Sequence, residues 1–214
     1  YNLSKRYKFL DHSNYRKIHT GEIPLIGGPL IYLTIFFMSL FFSYDFEPIF
    51  LYIFYVSFIL ILLGAYDDFY SVTPYVRIFI QIICCLFVLY FGLNINSIYY
   101  EDHVIDLNYF SYFFTLLCLL IIINAFNFID GIDGLASSLF LIPLTVILLF
   151  SFSKSNINNF QLLIFFNVIL FFLINLKLLP VNKIFLGDSG STFLGFTLGC
   201  FLIYSSEQNI LNSL

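Results

Sequence analysis

Charge is what this chain lacks. Asp, Glu, Lys and Arg make up 10% of its 214 residues, where a soluble domain carries about 25%. Tryptophan is absent and methionine occurs once, while hydrophobic residues reach 60% and the mean hydropathy is +0.94. A soluble protein must cover its surface with polar groups, and this chain has too few. A soluble globular domain is therefore excluded, and membrane insertion is expected. The formal net charge is −4, with no basic surplus, so no nucleic-acid partner is expected. Cysteine is scarce as well. Cys84, Cys85, Cys118 and Cys200 lie inside apolar runs without metal-ligand spacing and read as core thiols. Residues 1–24 are polar and basic and carry no signal-peptide pattern. The sequence shows no internal repeat, which argues against a transporter built from two matched halves.

The apolar residues are organised in runs. A membrane-spanning helix needs about 20 apolar residues. Such runs fall near 25–43, 48–64, 77–93, 109–126, 134–152, 160–178 and 190–205. The expected fold is therefore all-α: a polytopic integral membrane helix bundle of about seven spans, forming one domain over 1–214. Segment 94–108, NINSIYYEDHVIDLN, alternates in character and predicts a short extracytoplasmic hairpin. Alternate connections share a side. Lys5, Arg6, Lys8, Arg16, Lys17, Arg77, Lys177 and Lys183 fall on one side, and Lys154 alone falls on the other. The positive-inside rule turns the first side to the cytoplasm. The same side collects Asp67, Asp68, Asp130, Asp133 and Asp188, each beside a glycine or another aspartate at a span end. A solvated face explains the scattered acids of the opposite side but not this clustering.

The polar residues repeat every three positions in NAFNFIDGIDGLASS, 124–138: Asn124, Asn127, Asp130, Asp133. Steps of three rotate by roughly 60° on a helix, so one continuous helix cannot aim all four at one site. A turn at Gly131 and Gly134 solves this, leaving the two Asn in a span end and the two Asp in the turn. Asp133 then lies near a helix N-terminus, which suits a phosphate; a simple helix cap would explain Asp133 alone. In 64–81, adjacent Asp67 and Asp68 repel, so at least one wants a cation or a proton. Arg77 can pair with them or clamp phosphate, and Gln81 faces the same way one turn on. In KIFLGDSGSTFLGF, 183–196, Gly187 and Gly190 flank Asp188, with Ser189 and Ser191 as candidate caps. In RKIHTGEIPLIGG, 16–28, Lys17 and His19 precede Gly27–Gly28–Pro29, which signals a broken helix or close backbone approach. Carboxylates and amides with basic neighbours suit Mg²⁺ and an anionic substrate at a membrane face.

These four blocks, in this order, resemble the polyprenyl-phosphate N-acetylhexosamine-1-phosphate transferase superfamily. The RK-x-H…GG form is closer to its bacterial undecaprenyl-phosphate GlcNAc-1-phosphate transferase branch, glycosyltransferase family 4, than to the phospho-MurNAc-pentapeptide translocases. The resemblance covers nearly the whole chain. It implies transfer of GlcNAc-1-phosphate, or another HexNAc-1-phosphate, from a UDP-sugar to undecaprenyl phosphate. That reaction releases UMP and starts a lipid-linked cell-envelope glycan. It further implies Mg²⁺ (with Mn²⁺ as an alternative) held by Asn127 and Asp188, and catalytic roles for Asp67, Asp68 and Asp188. Arg77 would hold phosphate oxygens, Asp133 would read uracil, and Phe185 would stack on it. Asp130, Asn124, Lys17 and His19 join the implied substrate-binding set. The setting would be the bacterial inner membrane, multi-pass, with a cytoplasmic site, and a homodimer is compatible with it.

Two departures stand out. Asp11-His12-Ser13-Asn14 lacks the proline usual in that family block, and the family's later His-rich loop is absent. With a first residue of Tyr, the chain reads as a fragment lacking the first and last spans of a longer enzyme. Two other classes remain. A CDP-alcohol phosphotransferase would need an Arg shortly after its Asp-Gly, where Gly134-Leu135-Ala136 here runs into apolar helix. A non-catalytic transporter would carry its acids deep inside spans rather than at their ends.

Overall fold

Proline sets where two of the helices begin. A computed structural model describes residues 10–11, 22–42, 46–100, 103–154 and 158–207. Helix α1 spans Gly27–Phe42, α2 Pro48–Tyr70, α3 Pro74–Tyr90, α4 Ser111–Ile129, α5 Leu135–Ser153, α6 Asn159–Asn175 and α7 Gly187–Glu207. Pro48 and Pro74 open α2 and α3 at first-turn positions, where a missing N–H costs nothing. A helix lies in each of the seven apolar runs. Three of them, Pro48–Tyr70, Asn108–Ile129 (which adds a 3₁₀ turn to α4) and Leu135–Ser153, are long and apolar enough to cross a membrane, while α1, α3 and α6 are shorter apolar helices.

Two short antiparallel ribbons accompany the bundle. Strand β1 (Leu10–Asp11) pairs with β2 (Ile23–Pro24), a ribbon the hydropathy pattern does not predict. The second pairs β3 (Ser97–Tyr100) with β4 (His103–Asp106) and is the predicted hairpin.

Helices α1 to α6 form a ring around α7, each touching the next, and α7 packs directly on α1, α2, α4 and α5. Large apolar residues face outward from every ring helix, such as Phe41, Leu62, Phe79, Ile121, Leu149 and Phe166. The central helix is different. It is buried along nearly its whole length and carries Ser189, Gly190, Ser191, Thr192, Gly195, Thr197 and Gly199. Lipid contact demands apolar side chains, whereas contact between helices favours small ones that let backbones approach.

At the head of α7 the approach is extreme. A Cβ on Gly28 of α1 would stand 2.3 Å from Gly190 N, and one on Gly64 of α2 would stand 2.3 Å from Ser189 Cα. The loop before α7 is hydrogen-bonded to α1 through Gly27 N to Phe185 O (2.8 Å) and Gly28 N to Leu186 O (3.0 Å). Gly27–Gly28 is thus a close-approach site and not a helix break.

Three boundaries differ from expectation. Helix α2 runs six residues past Gly64, because that glycine serves packing rather than termination, and Asp67 Oδ1 accepts the Val72 N–H (2.6 Å) beyond its end. Helix α3 starts at Pro74, so Arg77 lies in its first turn rather than at a span edge. Helix α7 starts at Gly187, which puts Ser189 and Ser191 inside the helix, so neither is the cap expected of it. At the far end of the bundle, Glu207 accepts from Asn96 N and Asn96 Nδ2, both at 3.0 Å, and Glu47 accepts from Tyr204.

The packing at α7 makes a direct prediction. Gly28→Val forces side-chain atoms into backbone and should cost at least about 1–3 kcal/mol. A marked fall in the thermal midpoint of the detergent-solubilised protein is expected. Gly131→Ala, where a Cβ would meet nothing within 4 Å, should leave that midpoint unchanged.

Candidate functional site

Four helices each deliver polar side chains to one end of the bundle. Asp67 and Asp68 close α2, Arg77 lies in the first turn of α3, Asn127 in the last turn of α4, and Asp188 in the first turn of α7. Arg77 is the hub. Its Nη2 pairs with Asp67 Oδ2 and stands 3.7 Å from Asp188 Oδ2, while its Nη1 donates to Asn127 Oδ1 (3.0 Å). The Asn127 amide donates onward to Asp188 Oδ1 (2.8 Å) and to Ser191 Oγ (3.1 Å). Asp68 Oδ1 accepts the Asp188 backbone N–H (3.0 Å), an orphan donor at the head of α7. Gly187 allows this contact. Its φ is +75°, and a Cβ there would stand 2.8 Å from Asp68 Oδ2.

Charge in this cluster is unbalanced. One guanidinium faces Asp67 and Asp188, with Asp68 and Asp130 beside them. Among the described residues, buried Asp68 Oδ2 and Arg77 Nε have no hydrogen-bond partner. Desolvation and then the charges of Asp188, Asp68 and Asp133 push the Asp130 carboxyl up to about 8. Among the described residues, no three His, Cys, Asp or Glu converge as a metal-binding group. A cation here would instead meet mixed donors: carboxylate oxygens and the Asn127 amide oxygen.

The 124–134 stretch folds as its spacing implies. Asn127 lies in the last turn of α4, Asp130 follows its last residue, and Gly134 turns the chain at φ +72° into α5. Asn124, one turn deeper, donates to Gln81 Oε1 (2.9 Å) and ties α4 to α3 rather than joining the acids. Asp133 makes no cap and pairs with Lys183. Phe185 lies in the loop before α7, with the Lys183 ammonium 4.9 Å from its ring centroid. Lys17 and His19 lie outside the described residues.

Two residues of this end escape the sequence reading. Lys183 appears there only as a basic count. Asn175 holds the site's two loops together, accepting from Gly134 N (2.7 Å) and donating to Ile184 O (2.9 Å). A lone amide near the end of an apolar helix was its only available signal.

This fold and site define a helical bundle, apolar outside, with a polar cluster of carboxylates, an amide and an arginine at one end. Residues 50–206 match the profile of Glycosyl transferase family 4, and the chain belongs to that family. It is 31% identical over 211 residues to the undecaprenyl-phosphate alpha-N-acetylglucosaminyl 1-phosphate transferase of Escherichia coli (strain K12), covering 96% of this chain and 57% of that protein. It is 32% identical over 206 residues to the protein of the same name from Yersinia pestis, covering 94% of this chain and 56% of that one. The probable undecaprenyl-phosphate N-acetylglucosaminyl 1-phosphate transferase of Bacillus subtilis (strain 168) is 32% identical over 193 residues, covering 88% of this chain and 53% of that one. The chain spans little more than half the length of these relatives.

The raised Asp130 pKa has a measurable consequence. In the folded protein this acid stays protonated up to about pH 8, whereas unfolded it ionises near 3.8. Its contribution to stability is therefore full below about pH 4 and is lost as pH rises through 8. With chelator present, the thermal midpoint of Asp130→Asn relative to the parent should climb between pH 5 and 8 and level off above. Parallel midpoints across that range would contradict the assignment.

Proposed function

We propose that the protein transfers N-acetylglucosamine-1-phosphate from UDP-N-acetylglucosamine to undecaprenyl phosphate in a bacterial inner membrane. In this reading residues 1–214 form one membrane transferase domain and all seven helices span, with the acidic end cytoplasmic. The observation that carries it is the convergence of Asp67, Asp68, Arg77, Asn127 and Asp188 from four helices. The relatives' names pair an undecaprenyl phosphate with an N-acetylglucosaminyl 1-phosphate, the two substrate classes such a site would join.

The reaction forms a bond from a lipid-phosphate oxygen to the β-phosphorus of the nucleotide sugar and breaks that phosphorus–oxygen bond to the leaving UMP. Arg77, steered by Asp67 and Asn127, is suited to hold phosphate oxygens in place as charge moves between them. Asp67 uses both carboxylate oxygens within the protein, on Arg77 and Val72 N, so it orients the guanidinium. Asp68 anchors α7 with one oxygen, and its other oxygen, facing Gly187, has no partner among the described residues.

Oxygen donors of this kind fit Mg²⁺, which prefers carboxylates, keeps waters and shares substrate phosphates. The orphaned Asp68 oxygen and the excess of acids over cations support the same fit. Asp188 and Asn127 would hold the ion, the Asn127 amide oxygen giving up its bond from Arg77 to do so, with Mn²⁺ as a substitute. When bound, it would supply charge neutralisation on the diphosphate and leaving UMP.

The test is turnover in membranes containing the full-length protein. UDP-N-acetylglucosamine and undecaprenyl phosphate should yield labelled lipid and UMP, with activity abolished by EDTA. Asp188→Asn should insert normally and lose roughly 10²-fold or more of the rate. Near-parental turnover in that variant would overturn the proposal.

A further inference from the structure

Arg77 is carried by a helix that packs loosely on one side. Helix α3 owes its place chiefly to its ring neighbours α2 and α4. On the α2 side a groove of about 170 Å³ opens between Tyr55 and Ile59 of α2 and Ile83 and Phe87 of α3, so apolar packing there is incomplete. On the α4 side two polar rungs lie one above the other. Arg77 Nη1 donates to Asn127 Oδ1 (3.0 Å), and one turn deeper Asn124 Nδ2 donates to Gln81 Oε1 (2.9 Å). Asn124 is aimed at Gln81 by a second bond from the same Nδ2 to Leu120 O (2.8 Å) on its own helix. Gln81 is 0% exposed and buried beside Cys84, Cys85, Val88 and Leu89 of α3. Its Nε2 has no hydrogen-bond partner among the described residues. A leucine would fill that place without burying an unpaired amide, so packing alone does not account for a glutamine.

We propose that Gln81 is a positioning residue that, through Asn124, fixes the register of α3 on α4 and so holds Arg77 at the acidic end; this rests on the phosphate-holding role given to Arg77 above. Helices in lipid have no hydrophobic drive toward one another, so register falls to close packing and hydrogen bonds. With a groove on its other side, α3 takes its height and rotation from α4. Residues 77 and 81 lie one turn apart on α3, and 124 and 127 lie three apart on α4. Antiparallel helices bring both pairs into line in a single register, and a slip that breaks one rung breaks the other. Asp67 orients the guanidinium from α2, whereas Gln81 places the helix that carries it. The Gln81 rung matters most once the Asn127 oxygen has turned to a cation. Among the described residues it is then the side-chain bond that still ties α3 to α4, with Arg77 Nη2 3.7 Å from Asp188 Oδ2.

A bond that only stabilised the fold would act independently of Arg77. Rates and thermal midpoints of the full-length protein separate the two roles, with UDP-N-acetylglucosamine and undecaprenyl phosphate as substrates and equal amounts of folded protein. Gln81→Leu should lower kcat/KM roughly three- to twentyfold, the range of one interhelical hydrogen bond in a bilayer, with little change in the midpoint. Gln81→Met serves if the Leu variant does not fold. Arg77→Lys keeps the cation but loses the forked bond to Asn127. In that background Gln81→Leu should cost no more than about twofold, because the two substitutions remove one shared arrangement. Exchanging the amides, Gln81→Asn with Asn124→Gln, keeps the combined length of the rung and should return kcat/KM to within about threefold of the parent. A parental rate in Gln81→Leu, an equal loss in the parent and Arg77→Lys backgrounds, or a loss that the exchange does not restore would overturn the inference. A parent protein without turnover would instead overturn the transferase reading on which the inference rests.

Discussion

Everything at the polar end of this bundle depends on one backbone contact. The first turn of α7 lies directly on α1 at Gly28 and on α2 at Gly64, with distances that no side chain would permit. That contact fixes the height of α7 within the ring. Asp188 then comes level with Asp68 at the end of α2 and with Asn127 at the end of α4. Helix association in an apolar solvent has no hydrophobic driving force, so close packing of small residues must supply it. Here the same small residues also align four helix ends. Stability and site geometry share one cause.

The electrostatics follow from that alignment. Helix ends bring carboxylates together in a half-buried setting where repulsion is poorly screened. Arg77 offsets part of it by touching Asp67, Asn127 and the neighbourhood of Asp188. What remains among the described residues is an unpartnered Asp68 oxygen and an Asp130 that keeps its proton, and the unpartnered oxygen supports the cation of the proposed function. Lys183 extends the pattern to the rim, where it meets Asp133.

Most of this was legible in the sequence, for definite reasons. Hydropathy locates every helix of the bundle because lipid-facing surfaces must be apolar, and Gly131 and Gly134 mark the turn because the three-residue spacing around them cannot serve one helix face. The end of α2 and the start of α7 lie outside the apolar runs for a common reason. Gly64, Gly187 and Gly190 look like breakers in one dimension, yet Gly64 and Gly190 sit within continuous helices as contact points between backbones, and Gly187 opens α7. Asn124 shares the spacing of the site residues but turns to Gln81, a difference set by the neighbouring helix rather than by its own. Lys183 and Asn175 act through partners about fifty and forty residues away, Asp133 and Gly134, and no local pattern encodes such a pairing.

The central claim is that this acidic end takes up a divalent cation through the α7 carboxylate. Electron paramagnetic resonance of Mn²⁺ titrated into the purified full-length protein tests it without reference to turnover. One tightly held Mn²⁺ per chain is predicted for the parent, displaced by Mg²⁺ and lost in Asp188→Asn. Equal Mn²⁺ binding in parent and variant, or none in either, would contradict the account.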